Sequence, residues 1–281
     1  MDPFLLEHHQ AVLPIVTLEL DHPSTSTPSQ DSIETLEPLA TQPVQMDGPI
    51  AGTGAHGDHP FYPLGVQVPG YVANSMSAAV LVLIFAAGCG VIFLPTYLVA
   101  SRARPALPTC ELFITFWFVL SGCIHLFFEG YFSYNHLDMA SKMDLFGQLW
   151  KEYSLSDSRY MTQDPFVVCM ETVTAVFWGP LSFACAYLIV TENPLRHPLQ
   201  LIVSLGQLYG DVLYYAICWF NELVYGIAYS RPERFYYWMY YVLCNAFWIV
   251  IPLMLMYQSV GETAAAFARV KKAAGVGKKT Q

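Results

Sequence analysis

His125 and Glu129 stand four residues apart in an otherwise apolar stretch, so on a helix they share one face. Ser121 extends that face one turn back, and Phe132 continues it one turn forward. Glu171, Thr174 and Trp178 follow at helical spacing in a second apolar stretch. In a third, Gln200, Ser204, Gln207, Asp211 and Tyr214 recur in steps of four, three, four and three. In a fourth, Tyr241, Asn245 and Trp248 fall on one face, with Pro252 a turn later. A charged carboxylate in the middle of a membrane helix costs about 2.5–3.5 kcal/mol. Such groups persist where they face a cavity and do chemistry, or where they lock helices together. Two carboxyls and an imidazole exceed what packing needs, so His125, Glu129 and Glu171 are read as functional. For the stripe from Gln200 to Asp211, and for Asn245, hydrogen bonds between helices are an equal reading. Trp178 and Trp248, taken singly, are more often core or interface residues.

An apolar chamber holding these acids suits proton transfer to a lipid-like substrate. A neutral buried Glu can protonate an alkene. A second carboxylate and aromatic faces can stabilise the carbocation. A neighbouring base then removes a different proton, and the double bond has moved. No cofactor is required. The sequence carries no phosphate-cradling glycine loop, no GxSxG elbow, no HExxH and no DNA-binding signature, so no nucleic-acid partner is expected. None of the seven cysteines pairs as CxxC. Most lie in apolar stretches as small packing residues, and no metal site is expected.

Helices must carry these faces. The chain is 54% hydrophobic and 12% charged, against about 25% charged for a soluble domain, which points to a bilayer as solvent. Five segments can span it, at about 74–98, 112–132, 166–190, 200–225 and 235–258. The fold class expected is an all-α membrane protein, a five-helix bundle with polar stripes from four helices turned into one intramembrane cavity. The longest connection, about 133–165, should hold an interfacial helix near 141–153, with Leu145, Leu149, Trp150 and Tyr153 at helical spacing. The spanning domain covers about 74–260, and a basic tail follows from 261 to 281.

Residues 1–73 contain no Lys or Arg and nine acids, and they are rich in Pro, Ser and Thr. This composition predicts a disordered tail, because it cannot bury enough apolar surface to offset its ordering entropy. Much of the net charge of −9 sits there. Eight cations flank the spans on one side: Arg102, Arg104, Arg196, Arg269, Lys271, Lys272, Lys278 and Lys279. Five flank them on the other: Lys142, Lys151, Arg159, Arg231 and Arg234. The excess predicts a cytosolic C-terminus and a lumenal N-terminus. Lys278 and Lys279 then form a dilysine that resembles an endoplasmic-reticulum retrieval signal.

At these same residues the chain resembles the emopamil-binding protein family, within the EXPERA group of membrane proteins. The resemblance is carried by Gly122-Cys-Ile-His-Leu-Phe-Phe-Glu-Gly130, Gln148-Leu-Trp-Lys-Glu-Tyr153 with Asp157-Ser-Arg-Tyr160, Cys169-Met-Glu-Thr-Val-Thr174, Trp178-Gly-Pro180, Gln207-Leu-Tyr-Gly-Asp-Val-Leu-Tyr214 and Asn245-Ala-Phe-Trp248. These run through nearly everything after the tail. The resemblance implies five transmembrane helices, residence in endoplasmic-reticulum lipid, and 3β-hydroxysteroid Δ8–Δ7 isomerase activity on a Δ8 sterol. It also implies binding of cationic amphiphilic drugs and a homodimer. It places the catalytic groups at His125, Glu129 and Glu171. Thr174, Asn245 and Trp248 would bind substrate and stabilise the cation, with Tyr160, Trp178, Gln207, Asp211 and Tyr214 in support. Some relatives of this fold are thought to bind sterols or drugs without isomerising them. The joint presence of His125, Glu129, Glu171, Asn245 and Trp248 argues against that reading. A proton-coupled transporter would usually show an internal repeat, and none is visible between the halves.

Overall fold

The computed structural model describes residues 59–277, with side chains to residue 274. The Lys278-Lys279 signal and most of the acidic tail lie outside the described residues. Among the described residues the chain is helical, and five helices are long and apolar enough to cross a membrane, as expected. They are α1 (Ala78–Ala103), α2 (Thr109–Asn135), α4 (Pro165–Val190), α5 (Arg196–Tyr225) and α6 (Tyr236–Ala274). A short helix, α3 (Leu145–Tyr153), sits in the connection between α2 and α4.

Local chemistry sets several of these limits. Asp144 accepts from Gly147 N to start α3, and Asp164 accepts from Val167 N to start α4, where Pro165 occupies the first turn. Gly226 ends α5 in the left-handed region at φ 67°, where a side chain would be strained. Three wide π-helical segments interrupt the spans: Ile124–Glu129 in α2, Thr174–Trp178 in α4 and Tyr236–Leu243 at the head of α6. Such segments are rare and concentrate at functional sites. Those of α2 and α4 pack against each other.

The bundle packs mainly α5 on α6 and α2 on α4. One apolar cluster gathers Phe118, Cys185, Ile189, Val203 and Leu255. A larger aromatic cluster joins Phe132, Trp150, Tyr160, Tyr214 and Tyr241 at the end that carries α3. α1 buries only Leu81, Thr96 and Ala100, and so presents most of its apolar surface outward.

Two expectations differ from this arrangement. Residues 59–73, assigned to the tail on composition, fold onto the bundle. Phe61 is 2% exposed and meets Tyr71 edge-on at 5.4 Å. The averaged composition of residues 1–73 concealed a cluster of Phe61, Tyr62, Leu64, Val66, Val68 and Tyr71 at its far end. Moreover, α3 does not lie on a surface with one face free, since Gly147 to Lys151 are all buried. The strand of chain just before α1 covers it. Gln148 Oε1 accepts from Ser75 N at 2.9 Å and Met76 N at 3.0 Å, and Asn74 Nδ2 donates to Gln148 O at 2.9 Å. The Lys151 ammonium donates to Val72 O at 2.7 Å, and burial holds its pKa below the usual lysine value.

Truncation should separate the two parts of this N-terminal region. A chain beginning at residue 59 should keep the thermal midpoint of the full chain in detergent. A chain beginning at residue 74 loses the burial of Phe61, about 1.5–3 kcal/mol, and leaves Lys151 without its acceptor. Its midpoint should fall, as read by tryptophan fluorescence. Equal midpoints for the two truncations would show that residues 59–73 contribute nothing.

Candidate active site

The site is built where the π-helical segments of α2 and α4 meet. His125 and Glu129 lie within the first segment and are both buried. His125 Nδ1 stands 2.6 Å from Glu129 Oε2. On its other side, Gln207 Nε2 of α5 lies 3.1 Å from His125 Nε2. With the amide donating to Nε2, the ring proton sits on Nδ1 and points at Glu129. Gln207 thus fixes the tautomer, and the imidazole fixes the carboxyl.

Glu171 comes from α4, just before its wide segment. Tyr160 donates to Glu171 Oε1 at 2.6 Å. Thr174 Oγ1 lies 3.5 Å from Oε2, but its hydroxyl has a nearer acceptor at 2.8 Å, the backbone carbonyl of Glu171. The Glu171 and Glu129 carboxyls line the same cavity and lie near enough to interact electrostatically. Two buried carboxyls, each held by a different partner, therefore stand on one cavity wall.

Both open onto an apolar cavity of about 540 Å³. That volume lies within the usual range of roughly 300–1,000 Å³ for small-molecule sites. Trp248 and Asn245 of α6 also line it, as does Tyr160. The Trp248 ring lies 4.7 Å from the ring of His125 and 4.8 Å from that of Trp117. Asn245 Nδ2 donates to Tyr153 Oη at 3.0 Å and to Tyr241 O at 2.7 Å.

Of the residues singled out in the sequence, Glu129, Glu171, Tyr160, Asn245 and Trp248 meet at the cavity wall. His125, Thr174 and Gln207 stand behind them. Trp178 is elsewhere, in a position where a Cβ on Gly206 of α5 would come within 2.4 Å of its ring. The wide turn explains this. An extra residue in a turn rotates everything after it by about 100°, so Glu171 and Trp178 no longer share a face. Asp211 and Tyr214 are buried but do not line the cavity. The four-stripe picture is therefore corrected: α5 backs the site through Gln207 and contributes no wall. Its Gln200 instead joins α5 to α6, donating to Leu255 O at 3.1 Å and Gln258 Oε1 at 2.9 Å.

The sequence reading missed Trp117, Glu152, Tyr153 and Tyr240, all on the wall. Glu152 and Tyr153 close the Gln148-to-Tyr153 stretch already noted for its resemblance. Their place on a connecting helix gave them no polar stripe within a span by which to be found.

Comparisons with known proteins place this geometry in context. The family model for EBP, described as EXPERA (EXPanded EBP superfamily), matches residues 145–259. A 3-beta-hydroxysteroid-Delta(8),Delta(7)-isomerase of Rattus norvegicus is 38% identical over 72% of this chain and 87% of its own length. Its counterpart in Mus musculus is 39% identical over 74% of this chain and 90% of its own. A protoglabretal synthase of Citrus sinensis is 30% identical over 57% of this chain and 74% of its own.

Proposed function

We infer the function from one premise: this chain belongs to the EBP family, the EXPERA (EXPanded EBP superfamily) proteins. It is a multi-pass membrane protein and a sterol Δ8–Δ7 isomerase, an enzyme that shifts the C8=C9 double bond to C7=C8. The observation that carries the mechanism is the presence of two buried carboxyls, Glu129 and Glu171, on the wall of one apolar cavity.

A proton is delivered to C9 of the bound sterol, and the C8=C9 electron pair forms the new C9–H bond. The positive charge is left on tertiary C8. A proton then leaves C7, its bonding pair becomes the C7=C8 double bond, and the charge is gone. The reaction is proton-neutral, so an acid and a base that can exchange a proton suffice. His125 and Glu129 serve as donor and relay, with Gln207 holding the imidazole in register. Glu171 lies beside the developing cation, oriented chiefly by Tyr160, with Thr174 below it. Trp248 offers ring electron density to the same charge, and Asn245 anchors the wall through Tyr153. Two carboxyls on the wall of an apolar cavity also suit a cationic amphiphile, whose ammonium stands in for the sterol cation. The distribution of cations supports a cytosolic C-terminus, where Lys278 and Lys279 would act as an endoplasmic-reticulum retrieval signal.

Purified full-length protein in detergent, given a Δ8 sterol and EDTA, should form the Δ7 isomer, followed by gas chromatography and mass spectrometry. A strict need for an added redox cofactor would overturn the mechanism. Tight sterol binding without conversion would favour a non-catalytic binding protein of the same fold.

A further inference from the structure

A third carboxyl lines the cavity and takes no part in the proton transfer just described. Glu152, near the end of α3, faces Tyr240 of α6, and the Tyr240 hydroxyl donates to Glu152 Oε1 at 3.0 Å. Both residues are on the cavity wall. Tyr240 is 9% exposed, and burial pushes the Glu152 carboxyl above its ordinary value. Among the described residues, Tyr240 supplies the side-chain hydrogen bond to this carboxyl. A carboxyl has two oxygens and room for further donors, and a phenol oxygen can accept as well as donate.

The pair is also set apart from the acids. On α6, Tyr240 precedes Trp248 by eight residues, about 12 Å at the usual helical rise and somewhat less through the wide turn. Trp248 stacks near His125 and so marks the level of the chemistry. Asn245 lies between the two levels. Leu81 and Phe85 of α1 and Phe247 and Ile251 of α6 make a stretch of apolar wall that suits hydrocarbon. A sterol has one polar atom, the 3-hydroxyl, separated from C8 and C9 by the length of about two fused rings. With C8 beside Glu129 and Glu171, that hydroxyl needs a polar partner at such a remove.

We propose that Glu152 and Tyr240 bind the 3β-hydroxyl of the sterol and thereby set which carbons meet the acids. Within this arrangement the hydroxyl donates to the Glu152 carboxyl and accepts from Tyr240. The proposal rests on the isomerase reading of the same cavity and adds the group that orients the substrate.

The test compares a 3β-hydroxy Δ8 sterol with its 3-deoxy counterpart, using full-length protein in detergent and the variants Glu152→Met and Tyr240→Phe. Wild-type kcat/KM should fall at least about tenfold when the 3-hydroxyl is absent, because its hydrogen bonds to Glu152 and Tyr240 are then not made. Each variant should lose about tenfold on the hydroxy sterol, mostly in KM, and stay near wild type on the deoxy sterol. The preference for the hydroxyl would then collapse toward unity. Tyr240→Phe keeps the ring and its packing, so it carries the test even if Glu152→Met fails to accumulate. Variants that retain the wild-type preference would overturn the proposal while leaving the isomerase reading intact. Wild-type protein that converts neither sterol would overturn both.

Discussion

Glu129→Gln and Glu171→Gln should each lower turnover by at least about 10²-fold, the lower bound for a positioned acid or base. The change keeps the side chain's size but removes the ionisable proton and the negative charge. At Glu171 the amide also faces Tyr160, whose hydroxyl donates to Oε1 at 2.6 Å. That bond survives when the amide oxygen takes the place of Oε1. At Glu129 the amide oxygen can still accept from His125 Nδ1, which now stands 2.6 Å from Oε2. Both variants can therefore keep their local geometry while losing their chemistry. Neutral-sterol affinity should survive, since it comes mainly from apolar burial. Affinity for a cationic amine should weaken at one or both positions, because the ammonium loses its carboxylate partner. If the acids were only helix-joining groups, the variants would express poorly and lose all ligands alike. Turnover, sterol affinity and amine affinity on one folded variant decide between the two. Near-normal turnover in both would remove these residues from the mechanism.

How far the sequence reaches can be seen at particular residues. The contact of His125 with Glu129 was legible, because a spacing of four keeps two side chains within reach of each other even where the helix widens. The five spans were legible because a membrane helix needs only length and apolarity. The divergence of Glu171 from Trp178 was not, since no local pattern marks where a helix takes an extra residue per turn. The support of His125 by Gln207 joins residues far apart in the chain, and a stripe on one helix does not say which neighbour it meets. Glu152 and Tyr153 were hidden for another reason. They enter the cavity from a connection, and a search for polar groups inside spans passes over them. The folded segment 59–73 was lost to averaging over the composition of a long acidic stretch.

Arg159→Met should be the most damaging single change to the fold outside the spans. The Arg159 and Asp157 side chains are 1% and 0% exposed. The guanidinium grips the carboxylate through Nε at 3.0 and 3.1 Å and through Nη2 at 2.6 Å. Asp157 Oδ1 also accepts from Arg159 N at 3.1 Å, and the guanidinium lies over the rings of Tyr214 and Tyr229 at 4.9 and 5.2 Å. Removing the cation alone leaves a buried carboxylate without its partner, which costs about 3–5 kcal/mol. Asp157→Asn together with Arg159→Met leaves no net charge behind, so the double variant should be more stable than the single one. The next residue, Tyr160, holds Glu171, so loosening this turn should reach the active site. The single variant should accordingly lose activity in step with its unfolding midpoint, measured at one scan rate in detergent. The double variant should recover part of both. A single variant as stable as wild type, or a double variant no better than the single, would mean that the pair is not what holds this turn beneath the acids.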